Sequence, residues 1–203
     1  MGPVDLEAGG SLKRINVAAE NVAFENRRVL RLSDTAPAGT GDNGRLALLP
    51  IEDFRDGIIE IEVAGEPGPG AAQAARGFVG VAFRVAPNAG CFECFYIRPT
   101  NGRAEEQVRR NHSTQYISYP GYPWELLREK FPEKYESYVD LVPAKLTAIR
   151  IEVRGDKAKL FVHNAAQPTL IVGDLKQAPR AGSIALWIGP GTVGHFADLR
   201  ISA

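Results

Sequence analysis

The sequence predicts an all-β fold, an antiparallel sandwich occupying residues 1–203 as one domain. Three observations predict it. Apolar residues recur in many short runs, several of them alternating strictly with polar ones. Turn residues separate these runs at short intervals. Helical spacing of apolar residues is confined to one stretch, so at most one or two short helices fit. With 203 residues, 44% hydrophobic and 24% charged, the chain can bury one substantial core. Lys plus Arg equals Asp plus Glu at 24 each, so no overall field draws it to nucleic acid or to an anionic membrane. No apolar run approaches the ~18 residues of a membrane span.

Residues 1–10 form a glycine-containing lead-in, and the runs at 12–19, 22–25 and 28–32 read as strands divided by Glu20-Asn21 and Asn26-Arg27. Residues 33–43 are a loop by composition. Strand patterning resumes at 44–49 and 57–63, and the Gly/Pro/Ala stretch 65–76 is a second loop. Two strands follow, 77–85 and 92–98, joined by Pro87-Asn88-Ala89-Gly90. From Arg98 to Trp124 the chain reads as one long binding loop, rich in arginine, amide and tyrosine side chains, which is a poor composition for disorder. Leu126, Leu127 and Phe131 lie at helical spacing within 124–134, ahead of Pro132. Residues 146–154 and 157–163 alternate around Gly155-Asp156 and form a hairpin. Asn164-Ala165-Ala166 turns into a strand at 170–175, and 182–188 and 193–201 finish the chain.

Cys91 and Cys94 have C-x-x-C spacing, but neither a helix-opening redox motif nor a second cysteine pair accompanies them. On a strand, positions three apart point to opposite faces, which disfavours a mutual disulfide. The first fifteen residues lack the apolar core of a secretory signal. That leaves a cytosolic protein, or one whose signal lies outside this sequence.

Five stretches together, FRDGIIEIEV, GFVGVAFRV, FECFYIRP, LTAIRIEVRGDKAKLFVHNAAQPTL and GSIALWIGPGTVGHFADLRI, resemble the concanavalin A-like lectin/glucanase superfamily over roughly residues 44–203. Within it, the likeness is to laminin G-like domains and to bacterial domains grouped with 3-keto-disaccharide hydrolases. The resemblance implies a jelly-roll sandwich of two curved antiparallel sheets whose concave face meets carbohydrate. It also implies a periplasmic or extracellular location where a signal has been removed. It does not settle activity, because such folds host lectins, hydrolases and adhesion modules.

Strand parity then nominates a site. Val79, Val81, Phe83, Phe95, Ile97, Ile184, Leu186, Ile188, Ile59 and Ile61 form inward rows. The opposite rows carry Arg84, Tyr96, Arg98, His163 and Trp187. If these line one concave sheet, Tyr96 and Trp187 are stacking platforms for a sugar. Arg84, Arg98, Asn101, Arg103, Gln107 and His112 are then its polar contacts, since a guanidinium grips a carboxylate or sulfate through two hydrogen bonds. The run Arg103, Arg109, Arg110 and His112 divides between holding the loop and touching ligand. Glu105 and Glu106 interrupt it, and no nucleic-acid motif goes with it.

Catalytic candidates are Glu60, Glu62 and Glu93, with His112 assisting. Retaining glycosidases need two carboxyls about 5–5.5 Å apart, and alternate residues on a strand lie about 6.5–7 Å apart at Cα. The glucanases that the chain resembles carry E-x-D-x-x-E or E-x-D-x-E. Glu60-Ile61-Glu62 matches only the first half and lacks the closing carboxylate. No metal site is expected from His112, His163 and His195, which lie in three separate segments. Calcium on Asp34, Asp42 and Asn43 would suit hard-cation oxygen ligation, though no motif marks it. Three functions follow: carbohydrate binding, glycoside cleavage, and a laminin G-like protein-interaction module.

Overall fold

The computed structural model describes residues 4–6, 12–37, 40 and 44–202. They build two antiparallel sheets of seven strands each, a jelly-roll sandwich. In chain order the strands are β1 (Lys13–Ile15), β2 (Val17–Phe24), β3 (Arg27–Asp34), β4 (Leu46–Leu48), β5 (Gly57–Pro67), β6 (Val79–Val85) and β7 (Phe92–Ile97). They continue with β8 (Thr114–Tyr119), β9 (Glu136–Ser137), β10 (Thr147–Arg154), β11 (Lys157–Val162), β12 (Leu170–Val172), β13 (Ser183–Ile188) and β14 (Thr192–Ser202). Two short helices, α1 (Gln107–Asn111) and α2 (Trp124–Lys130), lie between β7 and β9. The first sheet runs β1-β4-β13-β6-β7-β8-β9, the second β12-β11-β10-β5-β14-β3-β2.

One sequence expectation changes here. The segment 98–124 is not one loop. Thr114–Tyr119 pairs along its whole length with β7, Tyr96 opposite Gln115 and Phe92 opposite Tyr119. Its TQYISY sequence carries strand propensity, but the polar residues around it hid the pattern. The short helix expected within 124–134, ahead of Pro132, runs over Trp124–Lys130, and Phe131 leaves helical geometry while its N–H still donates to Leu127 O at 2.8 Å. Phe131 turns towards Tyr135 instead, their rings 5.8 Å apart.

Between the sheets, Val79, Val81, Phe83, Phe95, Ile97, Leu186 and Ile188 meet Ile59, Ile61, Val63, Ile149, Ile151, Leu160 and Phe196. The two sheets differ in their outer faces. In the second sheet β10 alternates buried and accessible residues, one face on the core and one in water. In the first sheet β6, β7 and β13 are buried at every position. Apolar side chains on both faces of a strand require cover on both sides. On the outer side of this sheet that cover comes from the connections, and the candidate site lies among them.

A bulge disturbs the pairing of β13 with β6 inside that sheet. Ser183 pairs with Val85 and Ala185 with Ala82, so Phe83 and Arg84 together face Ile184. Arg84 takes up the extra residue with φ of 52°. An extra residue re-aims the side chains beside it.

Candidate functional site

Trp187, Gly80, Tyr96, Gln115 and Glu136 stand in register across β13, β6, β7, β8 and β9, on one row of the outer face. Gly80 has no side chain to fill the space between its two large neighbours. The Tyr96 and Trp187 rings close over it, with centroids 4.7 Å apart. Both rings are about 1% exposed. They form the base of the site and do not reach its surface.

Three segments rise around this base. Arg98 leaves β7 with its N–H donating to Ser113 O at 2.8 Å, which closes residues 98–113 into an excursion between β7 and β8. Pro99 starts a 3-10 turn over Pro99–Asn101. Asn101 then ties the excursion together: its Nδ2 donates to His112 O at 3.0 Å, and its Oδ1 accepts from Arg109 Nε at 3.0 Å. The second wall is the end of the β5–β6 connection, where the Thr100 hydroxyl donates to Arg76 O at 3.3 Å. Helix α2 supplies Trp124 and Arg128 as the third. Between them lies a cleft of about 370 Å³, lined by Arg76, Phe78, Arg98, Asn101, Glu106, Val108, Arg109, His112, Trp124 and Arg128 along with Ala74.

Arg98 and Glu136 anchor the cleft from below. The Arg98 guanidinium donates to His112 O, Glu136 Oε2, Tyr96 Oη and Gln115 Oε1 at 3.0–3.2 Å. Its face lies 5.2 Å from the ring centres of Phe78 and Tyr96 and 5.5 Å from that of Trp124. Glu136 also accepts from Arg128, Nε to Oε1 at 2.9 Å and Nη2 to Oε2 at 2.6 Å. His112 Nδ1 stands 2.8 Å from Oε2. Burial alone would raise the Glu136 carboxyl, but Arg128, Arg98 and His112 together hold it below the usual carboxylate range. His112 is pushed down by burial and by the two arginines, against the pull of Glu136. At neutral pH Glu136 is therefore a carboxylate, and His112 is uncharged.

The remaining residues nominated from sequence fall elsewhere. Arg84, re-aimed by the bulge, points away from the cleft. It donates to Arg55 O at 2.8 Å, Asp56 Oδ1 at 3.0 Å and Gly155 O at 2.7 Å, clasping β6 to the turn between β10 and β11. Arg103 is exposed and paired in two-pronged fashion with Asp140, both bonds 2.8 Å. Gln107 is exposed and donates to Asn111. His163 belongs to the second sheet's end, its Nε2 2.7 Å from Asp140 O.

Glu60 and Glu62 lie on the outer face of the second sheet, across the sandwich from the cleft, where Glu62 is paired with Arg27. Glu93 is buried between the sheets on the row of Phe83 and Ser118. It accepts from Tyr116 Oη at 2.7 Å and Gln177 N at 2.9 Å, and burial raises its carboxyl despite those bonds. The three carboxyls thus form no pair in the cleft. Parity turned Glu60 and Glu62 outward, as the structure has them, but it grouped His163 with the row of Tyr96 and Trp187, because parity gives the side of a strand and not the sheet to which it belongs.

Asp34, nominated for calcium, accepts from Ala36 N at 2.8 Å and Gly191 N at 2.7 Å and pairs with Arg45 at 2.7 Å, so donors engage its oxygens. Asp42 and Asn43 lie outside the described residues. Among the described residues no group of three or more His, Cys, Asp and Glu is arranged to hold a metal ion. Cys91 and Cys94 are unlinked.

Sequence reasoning overlooked Arg76, Phe78, Arg128 and Glu136, and it named Trp124 only as the end of the loop. Phe78 carried a signal in its place one residue before a strand. The others come from the β5–β6 connection, from α2 and from β9, which no local pattern relates.

The chain matches no family model and no curated protein. Solved structures share its fold. The carbohydrate-binding module CBM66 from Bacillus subtilis superposes with a TM-score of 0.57 at 11% identity, covering 95% of this chain and 98% of that one. A Bacillus subtilis protein of unknown function with a galectin-like fold gives 0.59 at 14% identity, covering 97% and 92%. The Bacillus licheniformis β-glucanase gives 0.52 at 15%, covering 99% and 91%.

Proposed function

We propose that this chain, a concanavalin A-like jelly roll, binds carbohydrate in the cleft walled by residues 74–78, 98–112 and 124–128. One observation carries the reading. Phe78 and Trp124, both only partly buried, flank the Arg98 guanidinium at the mouth of a cleft whose walls bear further guanidinium, amide and imidazole groups. An aromatic face takes the C–H side of a sugar ring, and converging polar groups take its hydroxyls. In this arrangement Trp124 and Phe78 touch the sugar, while Tyr96 and Trp187 hold Phe78 and Arg98 in place. The fold is shared with a carbohydrate-binding module and with a glucanase, and the aromatic and polar walls of the cleft support the binding reading. Its one lower carboxylate, Glu136, is engaged by cations and held ionised, unlike a general acid.

The test is a glycan array followed by titration calorimetry on any hit. Trp124→Ala is expected to weaken binding at least ~tenfold while costing less stability than the loss of a fully buried ring. Trp187→Ala, in contrast, is expected to destabilise the fold by about 3–5 kcal/mol. Absence of binding to every glycan, or binding indifferent to Trp124, would defeat the proposal.

A further inference from the structure

The charge of the cleft differs from that of the chain. Overall the sequence balances 24 basic against 24 acidic residues. Four guanidiniums line the cleft, those of Arg76, Arg98, Arg109 and Arg128, against the single lining carboxylate of Glu106. Glu136 below serves Arg98 and Arg128. That leaves Arg76 and Arg109, and among the described residues neither has a carboxylate within salt-bridge distance. Arg76 Nη1 donates only to the carbonyls of Gln73 and Ala75, at 2.8 and 3.0 Å. Arg109 donates to Asn101 Oδ1 and, at 3.2 and 3.3 Å, to the carbonyl and hydroxyl oxygens of Thr100. Thr100 in turn donates to Arg76 O, so the two arginines bracket one residue from opposite segments.

Two guanidiniums near one another and bonded to neutral acceptors repel one another, and an anion between them relieves the repulsion. Burial lowers the Arg76 pKa, and the nearby Arg109 charge lowers it further, in keeping with a pair that lacks a counter-ion.

We infer that the saccharide taken by this cleft is anionic, with a carboxylate or sulfate set between Arg76 and Arg109 and its ring on Trp124. The inference rests on the carbohydrate reading and adds the class of sugar to it. Arginine suits either group, since its planar fork matches both oxyanions through paired hydrogen bonds.

Titration calorimetry on the whole chain separates the outcomes. Trigalacturonate is compared with its methyl ester, and a sulfated galactan oligosaccharide with its desulfated form. In at least one pair the charged member is expected to bind ~tenfold or more tightly than its neutral counterpart, with the advantage shrinking at roughly 0.5 M salt. The pair that shows it distinguishes carboxylate from sulfate. Arg76→Gln is expected to bring the charged sugar down to the affinity of the neutral one. The ester and desulfated comparisons need no variant, so they stand even if that substitution fails to fold. Equal or tighter binding of the neutral sugars would overturn the inference and leave carbohydrate binding intact. Binding of inorganic sulfate alone, with no saccharide bound, would overturn both.

Discussion

At Arg98 the guanidinium has almost no water left: the side chain is 3% exposed, as is that of Glu136. A charge in such a place is tolerated because four acceptors and three aromatic rings surround it. Glu136 supplies the only formal negative charge in that shell and serves Arg128 and His112 as well. Replacing it with glutamine keeps the shape but leaves two guanidiniums without a counter-charge. Breaking a buried pair in this way typically costs about 3–5 kcal/mol. Glu136→Gln is therefore expected to lower the unfolding free energy by an amount in that range, whereas Arg103→Ala, at an exposed pair, should cost far less. Both are read from urea unfolding curves. Equal losses would mean that Glu136 is not the keystone of the cleft. Sequence placed Arg98, Asn101 and His112 near one another because they lie in one segment after β7. It had no means of showing that Arg98 is saturated beneath the surface and that, among the described residues, no carboxylate pairs with Arg76 or Arg109.

Among the elements, β6 decides most about the site. Its Gly80, on the outer row, lies between Trp187 and Tyr96, and a Cβ there would stand 2.1 Å from Phe95 O and 2.6 Å from Tyr96 Cα. Backbone, not a movable side-chain tip, blocks the space. Gly80→Ala is accordingly expected to cost on the order of 2–3 kcal/mol by overpacking. It should also weaken ligand binding, because the displaced Tyr96 carries Phe78 and Arg98 with it; thermal unfolding and calorimetry together would show this. A variant of normal stability would contradict the packing described. The same strand ends in the bulge that turned Arg84 from the expected site to the clasp at Asp56 and Gly155. Parity along VGVAFRV was legible as far as Ala82, and no residue in that stretch announces where it breaks. Trp187 and Tyr96 were assigned to one face by parity, and the register puts them on one row. Their depth depended on what the connections lay over them.

For the whole molecule, the stability of the sandwich should depend on pH through a buried histidine on the far sheet. His195 on β14 is 5% exposed and stacks on Phe24 with ring centroids 4.0 Å apart. Burial, aided by Arg31, lowers its pKa from 6.5 to about 4. An unfolded chain takes up a proton there from pH 6.5 downward, while the fold resists until about 4. The unfolded state thus binds more protons across that window, and stability falls as pH falls. The loss attributable to this group is on the order of 2 kcal/mol. His195→Gln should remove it, so that the difference in unfolding free energy between variant and parent shrinks from pH 7 to pH 4. A difference that stays constant would show that His195 titrates normally. At lower pH, Asp174 adds a second decline. Burial would raise its carboxyl, but Lys134, Lys176 and Tyr135 hold it at about 2, so its stabilising contribution is lost below about pH 4.

What the sequence determined by itself was the architecture: short alternating runs and tight turns admit little besides an antiparallel sandwich, and the period of a strand is a local property. It also determined that the segment after Arg98 is rich in groups able to bind. The division of strands between two sheets, the cover over the first sheet's outer face, and the meeting of Arg76, Arg109, Trp124 and Arg128 around one cleft were decided only by tertiary structure. These residues lie on three connections between strands, and connections carry no periodicity from which their mutual positions could be read.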